Sequence, residues 1–200
     1  MFASAFIVGP DDGPGLALEQ LAQDVGFRHV LWLNDLTEAE EQTKQTPICF
    51  FFFSSALDPE LTKEIVSALR SSRNRQIKFA PLVAFCEEPT EKAIRCYLNA
   101  GFDDILIPPF NARTASDRLR YLVRHHTVFF ETKTYFGPDR RRNIGLKDRG
   151  HALRGTGGEH RRIEIVRDPN VGVKILRDQH FKEQTKAGER DYHSLKRLWA

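Results

Sequence analysis

Residues 1–126 predict an α/β domain of doubly wound architecture, with a five-stranded parallel sheet covered by helices on both faces and a flexible basic extension over 127–200. Three observations carry this reading. Short apolar runs of strand length alternate five times with helical patterns, and strict alternation through short links produces a parallel sheet wrapped on two sides. The run Ile48 to Phe53 is continuously apolar, as a central strand covered on both faces must be. The charge also changes sign: residues 1–126 hold 13 Lys+Arg against 17 Asp+Glu, whereas 127–200 hold 17 against 10. Fourteen of the 15 Phe lie at or before Phe136, so the basic segment has little with which to build a core.

The elements follow in order. Ala3 to Val8 is an apolar run broken by Gly9-Pro10 and reads as the first strand. Leu18, Leu21, Ala22 and Val25 recur at helical spacing, and Gly26 stands where a helix end favours a residue tolerant of positive φ. His29 to Leu33 is the second strand. Thr37 and Glu40 have the spacing of a capping box and open the second helix. After the third strand, Asp58-Pro59 sets a carboxylate at an N-cap and proline at the first helical position. Pro81 to Phe85 is the fourth strand, and Thr90 caps a helix that ends at Gly101. Ile105 to Ile107 is the fifth strand, and Asn111 opens the last helix, through Leu119 and Val123.

Composition excludes several classes. No apolar run approaches the ~20 residues of a membrane-spanning helix. The N-terminus lacks the basic flank of a signal peptide, so a cytoplasmic location is expected. Three cysteines (Cys49, Cys86, Cys96) without CxxC spacing argue against a disulfide framework or a zinc site. No nucleophile–base pair or metal cluster is visible, which argues against an enzyme.

In sheets of this kind ligands bind beyond the carboxyl ends of the strands. The run Ala100-Gly101-Phe102-Asp103-Asp104-Ile105-Leu106-Ile107-Pro108-Pro109-Phe110 resembles the last strand of a two-component receiver domain of the CheY-like (flavodoxin-like) type. There a helix ends on Ala-Gly, an Asp-Asp pair follows, and the strand closes on Lys-Pro-Phe. The resemblance spans about residues 3–126. It implies a phosphorylation pocket made of two carboxylates after the first strand and an aspartate after the third, which hold magnesium, with a hydroxyl after the fourth strand and a lysine after the fifth. At those positions this chain has Gly9 and Pro10, then Phe53 or Ser54 depending on where the strand ends, then Cys86 and Pro108. Asp11 and Asp12 read as solvated turn residues. The resemblance therefore implies a pseudo-receiver, without nucleophile or metal, that acts through a protein partner. The partner face in receivers is formed by the fourth helix, fifth strand and fifth helix, to which Ala93 to Tyr97, Ile105 and Asp117 to Tyr121 correspond.

The extension carries Gly137-Pro138-Asp139-Arg140-Arg141-Arg142, echoed by Gly157-Gly158-Glu159-His160-Arg161-Arg162. Seven of the 13 glycines lie between Gly137 and Gly172, which predicts a largely extended segment, with a terminal helix over Glu189 to Trp199. Three readings of the arginine run stand side by side. It is a solvated basic linker, or it contacts guanine, or it binds nucleic-acid phosphates without specificity. Arginine reaches guanine O6 and N7 with two bonds, and Asp139 offers an acceptor for the opposite edge. The run resembles the arginine-rich tails of CheY-like proteins that bind cyclic di-GMP, which makes Asp139, Arg140, Arg141, Arg142, Arg161 and Arg162 the nucleotide-binding candidates. Nucleic acid is disfavoured, since no helix-turn-helix and no basic amphipathic helix is visible. No other cofactor is expected, and the adjacent His125 and His126 read as helix-end residues rather than metal ligands.

Overall fold

The computed structural model describes residues 1–139 and 159–182. The element order opens with β1 (Ser4–Val8), α1 (Gly13–Val25), β2 (His29–Trp32), α2 (Leu36–Gln42), β3 (Cys49–Phe53) and α3 (Pro59–Ser71). Then come α4 (Arg75–Lys78), β4 (Leu82–Phe85), α5 (Glu91–Ala100), β5 (Asp104–Leu106) and α6 (Ala112–Tyr121). Strands β1 to β5 form one parallel sheet in the order β2-β1-β3-β4-β5, the arrangement of a receiver-type doubly wound fold.

Alternation along the strands builds a core on each face. Ala5, Ile7, Phe50, Phe52, Val83, Phe85 and Leu106 pack beneath α1 and α6, through Leu18, Leu21, Ala115 and Leu119. Phe6, Val8, Phe51, Phe53, Leu82, Ala84 and Ile105 turn the other way, onto Ala39, Val66, Leu69 and Leu98. The run of four phenylalanines in β3 thus serves both cores, with Phe6 stacked on Phe51 and Phe52 edge-on to Phe85.

The caps follow the sequence at most ends. Asp58 Oδ1 accepts from Glu60 and Leu61, Thr90 Oγ1 from Ala93, and Asn111 Oδ1 from Thr114. Gly26 and Gly101 close their helices in the left-handed conformation. At α2 the cap is Asp35 rather than Thr37: its Oδ1 accepts from both the backbone N–H and the hydroxyl of Thr37, so the helix starts two residues earlier than the capping box implies. The short helix α4 was not anticipated. It shifts the numbering, so the expected fourth and fifth helices are α5 and α6.

The extension departs from the extended, flexible segment expected over 127–200. Its described residues, from His126, form an antiparallel sheet of β6 (His126–Glu131), β7 (Phe136–Pro138), β8 (His160–Asp168) and β9 (Gly172–Phe181), ordered β7-β6-β8-β9. Glycine content pointed to a loose chain, but period-two burial in β8 (Ile163, Ile165 and Arg167 inward) supplies a sheet face. That face lacks enough apolar residues for a core of its own and borrows one. Phe129, Ile163, Ile165 and Val173 close over Phe79, which follows α4. Arg140, Arg141 and Arg142 and the helix expected over Glu189 to Trp199 lie outside the described residues.

A buried ionic cluster joins the two sheets. Asp103 accepts from Arg70 at 2.7 Å through one oxygen and from Arg167 at 2.5 Å through the other. The three side chains are at most 3% exposed. Arg167 also donates to the carbonyls of Phe79 (2.7 Å) and Leu122 (3.2 Å), and both guanidiniums lie near the Phe129 ring. Burial pulls the Arg70 pKa below its ordinary value, with Asp103 opposing the shift.

Removing Asp103 leaves two buried cations without a counter-charge, whereas removing Arg167 leaves the balanced Arg70–Asp103 pair. Asp103→Asn is expected to cost about 3–5 kcal/mol of unfolding free energy, and Arg167→Met distinctly less. Urea denaturation of the two variants checks the order, and a larger loss for Arg167→Met would contradict this account of the junction.

Candidate functional site

The carboxyl ends of β1, β3, β4 and β5 converge on one edge of the parallel sheet, and the residues just beyond them define the receiver-type pocket. Strand β3 ends at Phe53, which is 1% exposed and packs edge-on to Phe102 with ring centroids 4.9 Å apart. Phe53 is therefore a core residue, and Ser54 is the first position beyond the strand. Its N–H donates to Val8 O at 2.9 Å, and its Oγ accepts from Ala56 N at 3.2 Å.

Gly9 adopts φ +152°, and a Cβ added there would stand 2.6 Å from Ser54 Cβ. The ends of β1 and β3 thus touch where a receiver holds its acidic pocket. Pro10 is exposed, and its carbonyl crowds Gly15 in the first turn of α1. Asp12, one of the two carboxylates of this loop, serves as the N-cap of α1. Asp12 is thereby committed to the backbone of α1 through Gly15 N.

After β4, Cys86 is buried, with Sγ donating to Glu88 O at 3.3 Å. Burial pushes the thiol's pKa up, so it stays protonated. Ser55 Oγ donates to Glu87 at 2.8 Å and ties the β3–α3 loop to the β4–α5 loop. Pro108 is exposed and precedes Pro109 through a cis peptide bond, and it offers no cation where a receiver has its lysine. The sequence-aligned positions Gly9, Ser54, Cys86 and Pro108 thus gather at the expected edge. Among the described residues no group of three or more His, Cys, Asp or Glu side chains is arranged to hold a metal ion. No helix among them is long and apolar enough to cross a membrane.

The nucleotide-binding candidates separate. Asp139 continues β7, donating its N–H to Val128 O, and lines a cavity of about 250 Å³ with Asp104, Arg118, Tyr121 and Thr127. Arg161 is committed elsewhere: it bonds Asp178 at 2.6 and 2.7 Å and Glu131 at 3.0 Å. These bonds raise its pKa and lower that of Asp178. Arg162 pairs with Glu164. Of the expected echo, His160, Arg161 and Arg162 open β8, where Arg161 is held by Glu131 and Asp178 on the neighbouring strands and Arg162 by Glu164 on its own.

On the expected partner face, Tyr121 is 53% exposed, and Ile107, which follows β5, is exposed as well. Ile105, expected to contribute, is buried in the core. The missed feature is the junction of Asp103, Arg70 and Arg167. An Asp-Asp pair at the head of a strand was legible, but nothing local to Arg70 or Arg167 marks a guanidinium as buried.

No protein-family model matches the sequence, and no curated protein matches it. Among solved structures, the chain is similar to the receiver domain of a sensor histidine kinase from Pseudomonas aeruginosa with magnesium in its active-site cleft. The identity is 18% and the TM-score 0.42, over 59% of this chain and 93% of that one. It is also similar to a putative response regulator from Chloroflexus aurantiacus (19%, TM-score 0.43, covering 58% and 93%). A CheY-like protein from Pseudomonas aeruginosa matches at 16% identity and a TM-score of 0.44, covering 58% and 97%. These neighbours are receiver domains; strand order and βα alternation assign the fold of this chain independently of them.

Gly9→Ala is expected to destabilise the fold by about 1–3 kcal/mol, since it adds a Cβ at positive φ against Ser54. Thermal denaturation reads the loss, and the double variant Gly9→Ala/Ser54→Gly is expected to recover part of it. Additive losses in the double variant would contradict the Gly9–Ser54 contact.

Proposed function

We propose that this chain is a pseudo-receiver: a signalling module of the two-component type that acts by protein contact and is not phosphorylated. The observation that carries the reading is the set of residues at the pocket positions. Gly9 and Ser54 are in contact there, Pro10 and Pro108 carry no charge, and Cys86 is a buried thiol. A phosphoryl-accepting pocket needs a carboxylate nucleophile and an oxygen shell for a divalent cation, and neither residue set supports them. The partner surface is the exposed side of α5, β5 and α6, with Tyr121 and Ile107 as apolar contacts. Incubation with acetyl phosphate and magnesium is expected to give no mass adduct. A phosphoryl adduct removed by hydroxylamine would overturn the reading.

A second reading is favoured by the position of Asp139. It lines a cavity with Tyr121, a ring for stacking, and Arg118, and the sequence continues into Arg140, Arg141 and Arg142. In this reading the chain is a cyclic di-GMP effector that seats a guanine there. Each bidentate arginine–guanine contact contributes about 1–3 kcal/mol of discrimination, so cyclic di-GMP should outcompete cyclic di-AMP by at least about tenfold. Competition titration decides this. Equal affinities, lost in moderate salt, would leave only anion binding by the basic run.

A further inference from the structure

We propose a phosphoryl-binding site, distinct from the receiver pocket, in the cleft between the two sheets where the turn joining β6 to β7 crosses α3 and the end of α5. The cleft encloses about 380 Å³ and is lined by Lys63, Ser67, Arg70, Lys78, Asn99 and Tyr135, among others. Its ligand class is a small phosphorylated molecule.

Charge carries the argument. Three cationic side chains line the cleft against one carboxylate, Glu131, which already bonds Arg161 at 3.0 Å. Behind the wall, the guanidiniums of Arg70 and Arg167 share the single carboxylate of Asp103, so this buried cluster has one positive charge in excess. An uncompensated charge in a poorly polarisable interior attracts an anion more strongly than a surface charge does.

Arg70 supplies field rather than contact. Its donors point inward, to the carbonyls of Gly101, Lys78 and Ala80 and to Asp103. In doing so it also covers the carbonyl oxygens that would repel an anion at this end of the sheet. Direct bonds come from the ammonium groups of Lys63 and Lys78, with Ser67 and Thr134 also lining the cleft, whereas the Ser71 hydroxyl donates to Ser67 O at 2.7 Å and is committed to its own helix. Lys63 rests on exposed Glu60 at 2.6 Å, a solvent-screened pair that exchanges readily. Lys78 lies 4.4 Å from the centroid of the Phe136 ring, which holds its ammonium at the cleft wall. Two ammonium groups with flanking hydroxyls suit a multiply charged tetrahedral oxyanion better than a halide.

Isothermal titration of the full chain with inorganic phosphate, against chloride at matched ionic strength, tests the site. Saturable one-site binding of phosphate is expected. Lys63→Gln/Lys78→Gln should weaken it by at least about tenfold, while Lys44→Gln, in the turn after α2, leaves it unchanged. Lys63 is exposed and Lys78 half-buried, and circular dichroism verifies that the variants fold. An Arg140→Ala/Arg141→Ala variant separates this cleft from the basic run: phosphate binding that is lost in it belongs to the run and overturns the proposal. Absence of saturable binding, or binding that survives in the double lysine variant, overturns the proposal.

Discussion

One carboxylate, that of Asp103, organises the molecule. Its position is local in origin: Gly101 turns the chain out of α5 at φ +102°, and Asp103 follows at the head of β5. Its N–H donates to Leu82 O and its Oδ2 accepts from Leu82 N, which sets the register of β5 on β4. The same group then holds Arg70 from α3 and Arg167 from β8. Sheet register, helix placement and inter-sheet docking therefore converge on two oxygen atoms. Such a cluster is a poor source of net stability compared with apolar packing, but it tolerates few alternative arrangements. Its neighbour Asp104 has a separate task, pairing with Arg118 of α6, and burial raises its pKa despite that arginine.

The second sheet is a dependent layer. Its inward face has a handful of apolar residues, and the ring that completes them, Phe79, belongs to the parallel unit. Gly137 of β7 lies so near Gly101 that a Cβ on Gly101 would approach Phe136 O to 2.9 Å. At the other end, Gly172 lets Val173 N reach Gln76 Oε1 at 2.6 Å. Both approaches need glycine, so the glycines that suggested a loose chain include two that permit close packing.

How far the sequence discloses this structure depends on how local the determining forces are. Strands buried on both faces, and helices opened by Asp58, Thr90 and Asn111, are local patterns, and they were legible along with the parallel sheet that βα alternation implies. The end of β3 was not legible, so Phe53 and Ser54 were separable only once the strand was located. The second sheet was obscured because its strands alternate arginine with isoleucine, and composition weighs Arg161, Arg162 and Arg167 alike. In the fold these are a cross-strand ion pair, a same-strand ion pair and a buried junction residue. For Arg161 and Arg167 those fates depend on partners 17 and 64 residues away, which no local window contains.

The separation between Phe79 and Arg167 has a bearing on synthesis. The Phe79 carbonyl receives its bond from a residue 88 positions later, and the Phe79 ring is covered by strands on either side of that residue. A ribosome adding about 5–20 residues per second takes roughly 4–18 s to make that span. During that interval the βα units, whose contacts are local, have time to form. The nascent parallel sheet then presents an aromatic patch and an Asp103 that still lacks one of its arginines. A chaperone that recognises exposed aromatic surface would meet the chain in that window, and the arrival of β8 would end it.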